Sequence, residues 1–170
     1  MLSTDFLLIK VHVRRGDFAD QFDNVIVSIE KIYHSTKYTM KPNSTVFIAT
    51  DDKNKTYFEV LRQHYDICFL DDFADEINCL NSNYFGIIDQ IVASKGDIFF
   101  GTYYSTLSAY VNRLRDYYST RDKLPEYELG KLQSYYFSPR DKKYTMTEYF
   151  APRKHLLLEC HIGDIMLMLC

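Results

Sequence analysis

Four short apolar runs, each separated from the next by a stretch with helical spacing, constrain this chain more than any other feature of its sequence. Residues 6–13 are mostly apolar and rich in branched side chains; "TVFIAT" (45–50), "DICFL" (66–70) and "DIFFG" (97–101) have the same character. From Asp23, Val25, Ile26, Ile29, Ile32 and Tyr33 fall on one helical face until "MKPNS" breaks the pattern. "NKTYFEVLRQHY" aligns Tyr57, Phe58, Leu61 and Tyr65, and residues 83–95 carry Phe85, Ile87, Ile88, Ile91 and Val92. "STLSAYVNRLRDYY" opens on a cap-type serine and repeats Leu107, Tyr110, Val111, Leu114, Tyr117 and Tyr118 at helical spacing. Strand and helix in alternation predict an α/β fold, a parallel sheet covered by helices.

Such sheets bind ligands beyond the carboxyl ends of their strands. "HVRRGD", "TDD" and "GTYYST" each follow a strand and are therefore expected along one edge, although they lie far apart in sequence. After Asp122 the pattern degrades. Residues 1–122 are read as one α/β domain, and 123–170 as an irregular, Tyr-rich extension hugging the surface with short helical pieces. The apolar end, "HLLLECHIGDIMLMLC", is assigned to no element.

Composition narrows the function. With 170 residues, 46% of them hydrophobic, the chain can bury an ordinary domain core. Its formal net charge is −3 and its basic residues are scattered, which argues against nucleic-acid or anionic-membrane binding. Cys68, Cys79, Cys160 and Cys170 form no CxxC pair, and the spacing of His155, Cys160 and His161 matches no strong zinc pattern. Cys68 and Cys79 are either a disulfide of an oxidising compartment or two small apolar residues, the second being favoured. GxxxxGK[ST], GxGxxG and GxSxG are all missing. The sequons Asn43-Ser44-Thr45 and Asn54-Lys55-Thr56 hint at a secretory location. No run resembles a signal peptide or is long enough to span a membrane. The first strand begins within a few residues of Met1, as expected of a fragment or of a gene product missing its front end.

The strand-end clusters carry the chemistry. Arg14 and Arg15 are adjacent, so alternation sends only one of them deep into a cleft, where a guanidinium grips phosphate oxygens. The bland alternative is a surface pair. Arg15-Gly16-Asp17 also spells RGD, an adhesion signal only on a mobile loop. His12 shares the Arg14 face and is either a ligand contact or a buried structural histidine. Asp51 and Asp52 suggest acid–base or metal chemistry, or a helix start. In "GTYYSTLS", Ser105 and Thr106 stand where a helix opens, beside backbone N–H groups able to cradle phosphate. Asp89, in the apolar "YFGIIDQIVAS", needs a hydrogen-bond partner, such as the amino and imino groups of a purine, or a local one.

Taken together, "HVRRGDF", "VFIATDD" and "IIDQIVASKGDIFFGTYYSTLSAYVNRLRDYY" resemble the GDP-fucose fucosyltransferases, which include the protein O-fucosyltransferases and the α1,6-fucosyltransferases. The resemblance covers roughly residues 6–118, with a weaker echo in "SYYFSPRDKKY". It implies a Rossmann-like, GDP-fucose-binding carboxy-terminal lobe of a two-lobed GT-B glycosyltransferase. By that match Arg14 is catalytic, gripping the diphosphate and stabilising departing GDP. His12 and Asp89 correspond to guanine contacts, and Ser105, Thr106 and the backbone at Leu107 to phosphate contacts. Asp51 and Asp52 correspond to acidic residues near the ribose or the site wall, and Arg15 and Asp17 are expected among the substrate-binding residues. The family implies inversion at the anomeric carbon, no metal and no cofactor besides the donor sugar nucleotide. It also implies a protein or glycan acceptor and a place in the endoplasmic reticulum or Golgi lumen. Two features depart from it: the amino-terminal lobe is missing, and "YYSTLS" replaces a phenylalanine-rich form. A non-catalytic nucleotide-sugar-binding remnant and an RGD-bearing adhesion domain are the competing readings.

Overall fold

The computed structural model describes residues 8–16, 27–103, 105–123, 132–137 and 144–145. Its sheet has six strands in the order β3-β2-β1-β4-β5-β6. These are β1 (Ile9–Val13), β2 (Thr45–Thr50), β3 (Asp66–Cys68), β4 (Ile98–Thr102), β5 (Gln133–Phe137) and β6 (Tyr144–Thr145). The first five are mutually parallel; only β6 runs antiparallel, at the edge. The expected α/β architecture is therefore present, and it is Rossmann-like.

β1 is buried along its whole length because both faces are covered. Ile9, Val11 and Val13 point into the larger core, against helix α1 (Ile29–Thr36) and the short α2 (Glu59–Arg62). On the opposite face Phe47, Ala49 and Phe99 meet α3 (Phe85–Ser94) and α4 (Thr106–Arg121). Three layers result, with the site-bearing face beneath α3 and α4. Arg115 fixes α4 from within: buried, it donates to Ser134 Oγ (2.9 Å), to the Asp97 carbonyl (3.0 Å) and to the Gly96 carbonyl. A single guanidinium thus ties the helix to the start of β4 and to β5.

The elements depart from the sequence reading at their ends. Asp23, Val25 and Ile26 lie outside the described residues; α1 begins at Ile29 because the Ser28 side chain accepts the Lys31 N–H. "NKTYFEVLRQHY" is divided between a 3-10 turn, Lys55–Phe58, and the four residues of α2. β3 stops at Cys68 rather than Leu70, since the Asp72 carboxylate accepts the Phe69 N–H (2.8 Å) and turns the chain into a 3-10 turn, Leu70–Phe73. Cys68 and Cys79 form no disulfide with each other.

Residues beyond 122 contribute to the sheet. β5 comes from the supposedly irregular extension and pairs with β4 over five residues, Ile98↔Gln133 to Thr102↔Phe137. "QSYYF" alternates, but between two buried faces: Tyr136 packs with Phe99 and Val111, and Phe137 with Phe100. A strand apolar on both sides loses the polar–apolar contrast that marks a half-exposed one. The "HLLLECHIGDIMLMLC" segment lies outside the described residues.

Candidate functional site

The carboxyl ends of β1, β2 and β3, with α3 and the first turn of α4, enclose a cleft of about 490 Å³. Its position follows from topology: strands fanning away from one another leave a crevice at their carboxyl edge. Of the sequence-derived residues, His12, Arg14, Asp51, Asp52, Asp89 and Leu107 line it.

β1 delivers the first two. Alternation puts His12 and Arg14 on one face, and β4 and α4 lock that geometry. Thr102 Oγ1 donates to the His12 carbonyl and accepts the Arg14 N–H, both at 3.0 Å. Beyond the last paired residues of the β1–β4 ladder, Val11 and Phe100, one hydroxyl therefore takes over from the backbone. His12 Nδ1 and Ser108 Oγ are 2.7 Å apart, which fixes the ring against the first turn of α4. The ring is fully buried, and that burial pushes its pKa down from 6.5 to about 3; Arg14 adds to the effect and Asp51 opposes it. His12 is consequently a neutral group at the cleft wall, offering hydrogen bonds without charge.

Asp51 organises the turn that carries Arg14. Its two carboxylate oxygens accept the N–H groups of Arg15 (2.8 Å) and Gly16 (3.0 Å), and Oδ2 stands 3.1 Å from Arg14 Nε. A Cβ at Gly16 would stand 2.7 Å from Asp51 Oδ2, so a larger residue there would press on the carboxylate that holds the turn. Asp52 is likewise occupied: Oδ1 accepts the Asn54 N–H (2.8 Å) and Oδ2 lies 3.3 Å from Arg15 Nε. Both carboxylates shape loops and orient arginines. Neither is the cap of the following 3-10 turn, which is Asn54.

Arg15 leaves the cleft. Its guanidinium centre lies 3.4 Å from the centroid of the Tyr57 ring, so the paired arginines part as alternation requires. With Arg15 stacked and the Gly16 N–H held by Asp51, the first two residues of the RGD tripeptide are pinned rather than displayed. Asp17 lies outside the described residues.

The start of α4 is arranged differently from expectation. Ser105 is the N-cap residue and is buried, but its side chain makes no capping hydrogen bond; Thr106 is exposed, and neither lines the cleft. The helix start is nevertheless adjacent: Ser105 N–H donates to the Thr102 carbonyl (3.3 Å), the residue that holds Arg14.

Asp89 lines the cleft from α3. Burial raises its carboxyl from 3.8 to about 7, with Lys55 lowering it and Asp71 raising it further. Its Oδ1 is buried and has no protein hydrogen-bond partner. A carboxylate oxygen held dry and unpaired beside a cleft is an acceptor that the protein itself does not satisfy.

Sequence reasoning missed Lys53, Lys55, Phe69, Leu70, Asp71 and Phe85 as lining residues. The signal for "FLDD" was available, since it follows β3 and the strand-end rule places it on the same edge. Among the described residues, no group of three or more His, Cys, Asp or Glu is arranged to hold a metal, and no helix is long and apolar enough to cross a membrane.

Residues 9–118 match the family model described as GDP-fucose protein O-fucosyltransferase. No curated protein matches the chain.

Proposed function

The chain belongs to the GDP-fucose protein O-fucosyltransferase family, and we propose that it is the donor-binding lobe of a GT-B enzyme that transfers fucose from GDP-fucose to a hydroxyl of a protein or glycan. The observation that carries this reading is the unpaired, buried Asp89 oxygen in the cleft that Arg14 also lines. Asp89 projects from α3 and Arg14 follows β1, and both line the same cleft. Guanine presents two donors, N1–H and the 2-amino group, to a carboxylate such as Asp89. The diphosphate goes to Arg14, beside the start of α4, where guanidinium and unpaired backbone N–H groups favour negative charge.

Transfer breaks the bond between the fucose anomeric carbon and the β-phosphate oxygen, and the electron pair leaves with GDP. The acceptor hydroxyl attacks from the opposite face, which inverts the carbon, and its proton passes to a base. Arg14 stabilises the charge that builds on the departing diphosphate; such a preorganised donor is worth about 3 kcal/mol. Asp51 fixes the guanidinium from behind, so little reorganisation is needed as charge develops. No metal takes part in this scheme, and no cofactor is needed besides the sugar nucleotide. Membership of the family supports a secretory-pathway enzyme, and we read its compartment as the endoplasmic reticulum or Golgi lumen.

Calorimetric titration with GDP, ADP and UDP tests the proposal. It requires selective GDP binding that Arg14→Ala weakens at least thirtyfold. Equal affinity for the three nucleotides, or indifference to Arg14→Ala, overturns it. Fucose transfer or GDP-fucose hydrolysis then separates an enzyme from a binding remnant.

A further inference from the structure

Lys55 lines the same cleft, and nothing in the sequence marked it. Two turns place it. The Asp52 carboxylate accepts the Asn54 N–H (2.8 Å), and the Asn54 amide oxygen then accepts the Thr56 N–H (3.2 Å) and hydroxyl (2.6 Å). Lys55 is thereby fixed as the first residue of its 3-10 turn, directly beyond β2. Its ammonium stands over the Phe69 ring, with Nζ 4.7 Å from the centroid, and Nζ reaches Asp71 Oδ2 at 3.4 Å. The Asp71 side chain is 69% exposed, so an ion pair to it adds little stability. The pair serves instead to hold the ammonium at the cleft wall that Lys55, Asp71 and Asp89 share.

An ammonium has three donors, and Asp71 engages one edge of it. In the same cleft, Asp89 presents an unsatisfied acceptor. A donor and an acceptor sharing one cleft match one face of guanine: an acceptor at O6 next to donors at N1 and the 2-amino group. Adenine reverses the match, with an amino donor at position 6 and an acceptor at N1. Resting on the nucleotide reading above, we propose that Lys55 is a specificity residue that donates to O6 of the base while Asp89 accepts from N1–H and the 2-amino group. Asp71 is its positioning residue. The other charged groups of the cleft, Arg14, Asp51, Asp52 and Lys53, come from the ends of β1 and β2; Arg14 and Asp51 pair with each other, and Asp52 pairs with Arg15.

Base analogues separate the two contacts. 6-Thio-GDP keeps both donors but weakens the acceptor at position 6; IDP keeps O6 but lacks the 2-amino group. Calorimetry at pH 8, where Asp89 is ionised, should show the native chain binding GDP about tenfold more tightly than either analogue. Lys55→Met keeps an apolar side chain and removes the ammonium. It should abolish the gap between GDP and 6-thio-GDP and leave the gap between GDP and IDP intact, whereas Lys55→Arg should keep both. A Lys55→Met protein that retains its preference for GDP over 6-thio-GDP overturns the assignment. Equal affinity of the native chain for these two ligands does the same, whether or not the variant folds. If the native chain does not bind GDP, the nucleotide reading itself is overturned rather than the role of Lys55 alone.

Discussion

Replacing Asp89 by Asn should stabilise the unliganded protein and impair its ligand binding. Asn keeps the shape of the side chain and removes the charge that burial disfavours. The carboxyl is raised from 3.8 to about 7, chiefly by burial. Below pH 3.8 folded and unfolded chains both carry it protonated, and its full contribution to stability is present. As pH rises through about 7 the unfolded chain has released the proton and the folded chain is forced to follow, so that contribution is lost. Each pKa unit is worth about 1.4 kcal/mol, which makes the total loss at most about 4 kcal/mol between pH 4 and pH 8. Urea denaturation of both proteins at pH 5, 6, 7 and 8 measures it as a difference. The difference matters because His12 titrates over an overlapping window in the opposite direction. The advantage of Asp89→Asn should widen by about 2–3 kcal/mol from pH 5 to pH 8. GDP affinity should fall by about thirtyfold to a hundredfold, as expected for a lost charged hydrogen bond. Parallel stability profiles across this range would refute the claim that Asp89 is a buried, unpaired acid.

Other consequences follow from the same geometry. His12, held down at about 3 by burial, contributes stability that is present above pH 6.5 and lost as pH falls toward 3, so His12→Gln should flatten the acid limb of the unfolding curve. Arg14→Ala should lower GDP-fucose turnover about a hundredfold. Arg15→Ala should instead cost about 1 kcal/mol of stability through lost stacking on Tyr57, with turnover little changed; equal kinetic effects would mean the wrong arginine was assigned to the cleft. Gly16→Ala crowds Asp51 Oδ2 and should destabilise by about 1–3 kcal/mol in thermal or urea melts. Gly86→Ala, where an added Cβ meets nothing within 4 Å, should be neutral or stabilising.

Much of this was legible in sequence because burial on both faces leaves long apolar runs. β1, β2 and β4 read clearly, and the strand-end rule then brought His12, Arg14, Asp51 and Asp52 to one edge. Asp89 was conspicuous as a lone acid in an apolar helix. What stayed hidden depends on tertiary partners. β5 looked irregular because tyrosines fill both of its faces, and only Phe99, Phe100 and Val111 reveal why. Asp51 and Asp52 announced carboxylates but not their occupation by backbone N–H groups and arginines. Ser105 read as a phosphate contact from its place at a helix start, yet it is buried and outside the cleft lining. Lys55 gave no signal at all, since an exposed-looking lysine in a polar turn gains meaning only from Phe69, Asp71 and Asp89 across the crevice.

A crystal structure of the chain with GDP tests the central claim most directly. The diphosphate should lie between the Arg14 guanidinium and the first turn of α4, with the N1 edge of guanine against Asp89. A diphosphate bound away from Arg14, or a base turned outward with Asp89 still unpaired, would contradict it.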